Sequence, residues 1–357
     1  MKVLVAMSGG VDSSVAAKIL VDGGNECVGA TMKLYANEDA GVVSTGHTCC
    51  SLDDVYDARQ VALKLGIPYY VFNFKDGFKE KIIDKFISSY LSGKTPNPCI
   101  DCNRFMKFDK LFERAEILGC DHIATGHYVR IEKHGDEYVL KKAVDLSKDQ
   151  SYVLYFLDQE KLSKLIFPLG TLEKTKTRAI AEKNGFVNAD KPDSQDICFV
   201  PDKKYAEAIK RISGLSPKPG DYVDMNGKVL GKHKGIIYYT LGQHKGLGLG
   251  IENKMFVVKI DPETNTVTLG AESDLYSNEC LVTDVSFVSK KPPAFPFKCK
   301  AKLRYRQEEQ PATVYQCDEG IRLVFDEPQR AITPGQAAVL YDGDVVLGGG
   351  IIKIRNA

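Results

Sequence analysis

Between a short apolar run, Lys2 to Met7, and a helical pattern lies the heptapeptide Ser8-Gly9-Gly10-Val11-Asp12-Ser13-Ser14. Its glycines allow close backbone approach to a ligand and its hydroxyls can donate to oxygens. The helix behind it offers unpaired N–H groups and about half a positive charge. Phosphate is the natural occupant of such a loop. The spacing is neither the G-x-x-x-x-G-K-[ST] of a Walker loop nor the G-x-G-x-x-G of a dinucleotide fold, so neither is supported. The second chemical resource is sulfur: the chain has ten cysteines, with Cys99 and Cys102 spaced as C-x-x-C. In a chain of 357 residues that opens without a secretory leader pattern, these are expected to be reduced thiols kept for chemistry, metal or packing. Cys27, Cys120, Cys280, Cys299 and Cys317 stand in strand-like apolar contexts and are read as packing residues.

A third resource is local positive charge. Lys290, Lys291, Lys298, Lys300, Lys302, Arg304 and Arg306 follow one another without an intervening acid. If Phe297 to Arg306 is one strand, its last five cations form a ladder on one face, opposite Phe297, Cys299, Ala301, Leu303 and Tyr305. Such a ladder can track phosphates or simply face solvent. A further stretch, Lys161, Lys164, Lys174, Lys176, Arg178 and Lys183, is mixed with Glu160, Glu173 and Glu182 and reads at least as well as a solvated helix face.

These residues need a scaffold, and the length implies roughly two to three domains. Hydrophobic residues at 43% and charged residues at 27% exclude disordered and collagenous chains, and a net charge of +1 means that any nucleic-acid site must be a local patch. No run of about 18 apolar residues occurs, so no membrane partner is expected and the cytoplasm is the expected compartment. Strands at Lys2–Met7, Cys27–Lys33, Tyr69–Phe74 and His122–Thr125 alternate with helices at Ser14–Val21, Asp53–Leu65, Gly77–Leu91 and Phe105–Leu118, the pattern of a parallel α/β sheet. From about Pro201 the texture changes to short strand-like pieces separated by Pro and Gly. We therefore expect an α/β catalytic domain over 1–205, a small α+β linking domain over 206–275, and a C-terminal β-barrel or sandwich over 276–357.

The glycine loop resembles the S-G-G-x-D-S signature of the ATP pyrophosphatase superfamily, whose members activate a carbonyl oxygen as an adenylate and release pyrophosphate. Further motifs narrow the resemblance. They are Asn97-Pro98 with Cys102-Asn103, Ala124-Thr125-Gly126-His127-Tyr128, Lys148-Asp149-Gln150-Ser151-Tyr152, Asp193-Ser194-Gln195-Asp196-Ile197-Cys198-Phe199, Gly242-Gln243-His244-Lys245-Gly246 and Pro334-Gly335-Gln336. In this order they resemble the tRNA-specific 2-thiouridylases of the bacterial MnmA type over essentially the whole chain. The resemblance implies an adenine nucleotide hydrolase-like first domain, ATP with Mg2+, and 2-thiolation of wobble uridine 34 in tRNA. It also implies a sulfur source: a cysteine desulfurase, a sulfur carrier or free sulfide. By the same resemblance Ala6, Met7, Ser8, Gly9, Gly10, Val11, Asp12, Ser13, Met32 and Gly126 bind ATP. Asn97, His127, Lys148, Asp149, Gln150, Arg304, Tyr305 and Gln336 contact tRNA. Cys198 carries a persulfide and Cys102 attacks it.

One position departs from the family pattern N-P-D-x-x-C: here Cys99 replaces the acid in Asn97-Pro98-Cys99-Ile100-Asp101-Cys102. Asp101 could take over as the acid, although adjacent residues project differently. Alternatively Cys99, Cys102 and Cys198 bring three thiolates to one site, the ligand number that leaves one iron of a [4Fe-4S] cluster open. A persulfide and disulfide route and a zinc site remain beside it, the last wanting a fourth ligand, for which His47-Thr48-Cys49-Cys50 is a poor source. Two other functions stay open: an ATP-dependent amide or amidine synthetase on the same loop, and a nonenzymatic, zinc-stabilised RNA-binding protein.

Overall fold

The structure is a computed structural model that describes residues 1–35, 52–193, 197–200, 202–250 and 254–353. It begins with β1 (Lys2–Ala6), α1 (Val11–Asp22), β2 (Glu26–Lys33), α2 (Leu52–Leu65) and β3 (Tyr69–Asn73). A helical layer follows. It comprises α3 (Lys75–Phe78), a π-helical segment Lys79–Asp84, α4 (Lys85–Leu91), α5 (Pro98–Asp101), a second π-helical segment Cys102–Phe108, and α6 (Asp109–Ile117). Next come β4 (His122–Ala124), β5 (Val129–His134), β6 (Glu137–Lys142), α7 (Gln159–Ser163), β7 (Leu165–Ile166), α8 (Lys174–Lys183) and α9 (Tyr205–Ser213).

The first sheet has the order β3-β2-β1-β4-β7 and is parallel throughout. Val3, Leu4 and Val5 of its central strand are fully buried, which explains why β1 is a continuous apolar run: both faces are covered by helices. The chain moves outward from β1 to β2 and β3, then returns to β4 on the other side of β1. The crevice beyond the carboxyl ends of β1 and β4 is therefore a topological switch point, where α/β sheets bind ligands.

Two expected helices differ in detail. The helix expected over Gly77–Leu91 is α3 and α4 with the π-helical segment between them. The helix expected from Phe105 begins at Pro98, because the Asn97 Oδ1 accepts from the Cys99 N–H at 3.1 Å and Pro98 occupies the first helical turn. Cys99 and Cys102 thus lie on a helical path that periodicity alone starts too late.

The middle of the chain forms β8 (Gly220–Val223), β9 (Val229–His233), β10 (Phe256–Asp261) and β11 (Thr266–Gly270), in the order β10-β11-β8-β9. The last part forms β12 (Tyr276–Phe287), β13 (Phe297–Lys302), β14 (Gln310–Cys317), β15 (Gly320–Arg330), β16 (Ala337–Asp342) and β17 (Val345–Lys353). These six strands run β12-β15-β14-β13-β16-β17, and β12 pairs again with β17, so the sheet closes as a barrel and not as a sandwich.

The β5–β6 hairpin, turning at Gly135-Asp136, belongs to the first part of the chain in sequence but extends the barrel sheet through the β6–β17 pairing. One hydrophobic cluster accordingly runs from Leu4 and Ile123 of the parallel sheet through Tyr152 and Tyr155 to Ala337, Val339 and Tyr341 of the barrel.

Candidate active site

The glycine loop leaves β1 at the switch point. Gly10 is the extended residue before α1, and the Ser13 and Ser14 hydroxyls both donate to its carbonyl, at 3.0 and 3.1 Å. The Ser8 N–H donates to Ser13 Oγ at 3.1 Å. Gly9 has φ of +77°, and a Cβ there would stand 2.3 Å from the Asp54 carbonyl oxygen. Gly126, in the loop after β4, is equally constrained: a Cβ would meet the Ser13 nitrogen at 2.7 Å. The loop after β1 therefore touches α2, and the loop after β4 touches the first turn of α1, backbone to backbone, and only glycine fits at these two contacts. Met7, whose N–H donates to Ala30 at 2.8 Å, and Ala6, paired with Ala30, hold the loop against β2, the strand that carries Met32.

Charge is concentrated around this loop. Lys174 Nζ reaches Asp12 Oδ1 and Oδ2 at 2.7 and 2.8 Å and Asp193 Oδ1 at 2.7 Å. Asp193 also accepts from Lys148 at 2.9 Å and Arg178 at 3.2 Å. Lys191 bonds Asp54 and Asp57, each at 2.7 Å, and Asn188 Nδ2 donates to the Gly9 carbonyl and Ser14 Oγ, both at 2.9 Å. The Tyr128 hydroxyl donates to Asp12 at 2.9 Å. Burial alone would raise the Asp193 carboxyl, but the Lys174 and Lys148 ammonium groups outweigh it and hold the carboxyl below its ordinary range. Burial opposes the charge on Lys191 as well, and Asp54 and Asp57 raise its pKa nonetheless. Lys174 is thus buried at the phosphate loop and is not part of a solvated helix face. Periodicity missed it, since α8 is mostly polar and its buried cation has no apolar signature.

The residues fit a nucleotide: the helix N-terminus, the glycine cradle and the ring of cations suit a polyphosphate. Asp12 is the loop carboxylate that would meet a phosphate-borne Mg2+, most of whose ligands would be phosphate oxygens and water.

The cysteines lie in the helical layer. Cys102 is buried and Cys198 is half-buried, and both pack into the cluster that holds Phe78, Phe86, Met106 and Phe199. The Tyr35 hydroxyl donates to the Cys198 carbonyl at 2.8 Å. Cys99 is exposed. Among the described residues no group of three or more His, Cys, Asp or Glu side chains is placed to hold a metal ion. Of the three cysteines expected as possible cluster ligands, Cys99 is exposed, Cys102 buried and Cys198 half-buried. Residues 194–196 of the cysteine motif and the His47 to Cys50 segment lie outside the described residues. Asp101 bonds Lys85 at 2.8 Å, yet burial raises its pKa overall. Of the supposed packing cysteines, Cys27 and Cys280 are buried in strands, burial pushing the latter thiol up to about 12; Cys120 precedes β4 and lies in no strand.

The residues matched to tRNA contacts are engaged within the protein. His127 is buried between Phe108 and Phe167, its Nδ1 2.7 Å from Thr125 Oγ1, and burial holds it well below the usual imidazole range. Asp149 is buried and accepts from the Ser151 hydroxyl at 2.6 Å; Gln150 Oε1 accepts from the Tyr128 N–H at 2.9 Å. Gln336 Nε2 donates to the Thr95 carbonyl at 2.7 Å. The cationic ladder is shorter than expected, because β13 ends at Lys302. Lys298 and Lys300 are exposed, Lys302 is half-buried over the Tyr341 ring, and Arg304 turns in to donate to Ala331 O at 2.6 Å and Thr333 Oγ1 at 2.9 Å. Tyr305 is 40% exposed and donates to the Asp149 carbonyl at 3.1 Å.

Sequence comparison accounts for this architecture. The tRNA methyl transferase HUP domain family matches residues 1–202, its PRC-barrel domain residues 209–271, and the aminomethyltransferase beta-barrel domain residues 277–352. The tRNA-specific 2-thiouridylase MnmA of Clostridioides difficile (strain 630) is 51% identical over 99% of this chain and 98% of its own. That of Acetivibrio thermocellus is 50% identical over 99% of both chains. Among solved structures, a 4-thiouridine synthetase bound to RNA and ATP aligns at TM-score 0.35 and 19% identity over 59% of this chain and 50% of that one, too loose a likeness to add to the assignment. With about half its residues shared with these relatives from end to end, and with the glycine loop folded at the switch point of its parallel sheet, the chain belongs to the tRNA-specific 2-thiouridylase family.

Proposed function

We propose that this protein uses ATP to replace the C2 oxygen of wobble uridine 34 in tRNA by sulfur, releasing AMP and pyrophosphate. One observation supports it most strongly: Lys174 ties Asp12 of the phosphate loop to Asp193, the first residue of the sequence motif that also carries Cys198. In this reading, residues 1–205 carry the chemistry, 206–275 link, and 276–357 hold the RNA against the first unit. Ala6 to Ser13, Met32 and Gly126 surround ATP. Bound Mg2+ would offset phosphate charge there, with Asp12 as its protein contact.

The uridine O2 attacks the α-phosphorus and pyrophosphate leaves. The terminal sulfur of a Cys198 persulfide then adds to C2, and AMP departs with the former O2. Attack of the Cys102 thiolate on the Cys198 sulfur breaks the S–S bond, leaves sulfur on C2, and forms a Cys102–Cys198 disulfide that an external thiol reduces. Asp101, raised by burial, is the acid nearest in sequence to Cys102 and takes the place of the acid that Cys99 displaces. Tyr305 offers an exposed ring for stacking a base, while Asn97, His127, Lys148, Asp149, Gln150, Arg304 and Gln336 shape the RNA site through the internal bonds described above. A cysteine desulfurase, or a carrier that itself bears a persulfide, charges Cys198 by passing its outer sulfur to the Cys198 thiolate and keeping its own thiol; free sulfide has no place in this persulfide route. The sulfur is thus assigned to the Cys198 persulfide, and the alternative, a cluster held by Cys99, Cys102 and Cys198, is decided by the experiment below.

The test is to incubate purified protein with ATP, a persulfide donor and unmodified tRNA and to measure AMP and thionucleoside together. Both should appear, with the modification mapping to position 34. AMP without thiolation would favour a synthetase, and neither product a binding protein. Cys99→Asp should keep or raise activity; loss of activity together with iron bound after anaerobic reconstitution of the wild type would overturn the persulfide route in favour of a cluster.

A further inference from the structure

The peptide bond between Gly9 and Gly10 of the phosphate loop is flanked on both sides by residues without a Cβ, so it is the one most free to turn over. Its orientation matters. In a trans peptide the C=O and the N–H point opposite ways, so one orientation offers a phosphate an N–H and the other a carbonyl oxygen. Asn188 Nδ2 donates to the Gly9 carbonyl and to Ser14 Oγ, both at 2.9 Å. Both acceptors require a donor there: a carbonyl only accepts, and the Ser14 hydroxyl proton is already given to the Gly10 carbonyl at 3.1 Å. Asn188 is 2% exposed and Ser14 is fully buried, which shields these bonds from water.

Asn188 is itself fixed. It lies in a turn after α8, where the Lys191 N–H donates to the Asn188 carbonyl at 3.2 Å and Arg178 of α8 donates to the Ala189 and Lys191 carbonyls at 3.0 and 3.2 Å. From the same turn Lys191 Nζ approaches the Gly9 carbonyl at 3.4 Å while bonding Asp54 and Asp57 of α2. Gly9 is thus gripped between the Asp54 backbone and the 188–191 turn. The Gly10 N–H, on the opposite side of the gripped peptide, donates to no group among the described residues.

We propose that Asn188 is a positioning residue for the phosphate loop: by holding the Gly9 carbonyl it keeps the Gly10 N–H turned to the polyphosphate of ATP and prevents the peptide from presenting its oxygen there. This rests on the reading above that the loop binds ATP.

The informative variant is Asn188→Leu, close in volume and without the two donors. With the full chain and Mg2+, the ATP dissociation constant is expected to rise at least about 10-fold, while that of adenosine, which has no phosphate, changes less than about 2-fold. Ser14→Ala, which removes one acceptor of Asn188 and leaves its Gly9 bond in place, should weaken ATP by about 2- to 4-fold and serves if thermal melts show that Asn188→Leu does not fold. Unchanged ATP affinity in the folded variant, or equal losses for ATP and adenosine, would overturn the proposal. Wild-type protein that binds no ATP would instead overturn the reading on which it rests.

Discussion

Asp12 illustrates how one side chain can serve several partners. It takes the Lys174 ammonium on both oxygens and the Tyr128 hydroxyl on one, at the mouth of a glycine loop. Asp12→Ala, and equally Ser13→Ala, should abolish AMP formation while circular dichroism stays native, because Asp12 carries the loop's charge and the Ser13 hydroxyl shapes the loop through Gly10 and Ser8, and neither fills an apolar core. Retained ATP turnover in either variant would count against the loop as the nucleotide site. His127 makes a separate, pH-dependent prediction. Its folded-state pKa lies well below 6.5, so above pH 6.5 both folded and unfolded forms are neutral and it costs nothing. Below pH 6.5 the unfolded chain binds a proton that the folded chain refuses, and stability falls by up to about 1.4 kcal/mol per pH unit. Urea titrations from pH 7 to 5 should show a steeper loss for wild type than for His127→Gln; equal slopes would mean that the imidazole is not held neutral.

Elements decide which of the cations meet solvent. The alternation of Lys298, Lys300, Lys302, Arg304 and Arg306 is legible as a ladder, but a strand's end is not written in its alternation. Arg304 lies beyond that end and finds carbonyl and hydroxyl partners near residue 331 that no local pattern announces. Lys298→Ala with Lys300→Ala should therefore lower the salt slope of tRNA binding by about 2 and leave folding intact. Arg304→Ala should cost on the order of 2 kcal/mol of stability through its lost charged hydrogen bonds. Thermal melts beside binding at several salt concentrations separate the two, and a destabilised lysine variant would refute the distinction. The phosphate loop and the parallel strands were readable because their determinants are contiguous. Lys174, Asp193 and the β5–β6 hairpin were not, since each acquires its meaning from a partner far along the chain.

At the scale of the molecule, the barrel and the parallel sheet are joined by specific bonds. The Thr95 N–H donates to Pro334 O at 2.9 Å, Gln336 answers to the Thr95 carbonyl, and Tyr152 donates to Ala337 O at 2.9 Å. Gly335 sits in this seam with φ of +89°, and a Cβ would lie 3.2 Å from Lys94 Cβ and the Thr95 backbone. Gly335→Ala should lower stability by about 1–2 kcal/mol through the left-handed backbone alone. It should weaken tRNA binding while calorimetry shows ATP binding retained; a matching loss of ATP affinity would show that the seam governs the whole fold.

The β5–β6 hairpin imposes an order on synthesis. Lys142 donates from its side chain to Gly343 and from its N–H to Asp344, partners made 201 residues later or more. At about 5–20 residues per second the ribosome needs roughly 10–40 s to supply them. During that interval β6 presents an open strand edge on a hairpin whose barrel sheet is not yet made, the kind of edge that recruits other chains. A nascent chain halted before β16 should therefore bind chaperones or self-associate through this edge, and release of the finished barrel ends the exposure.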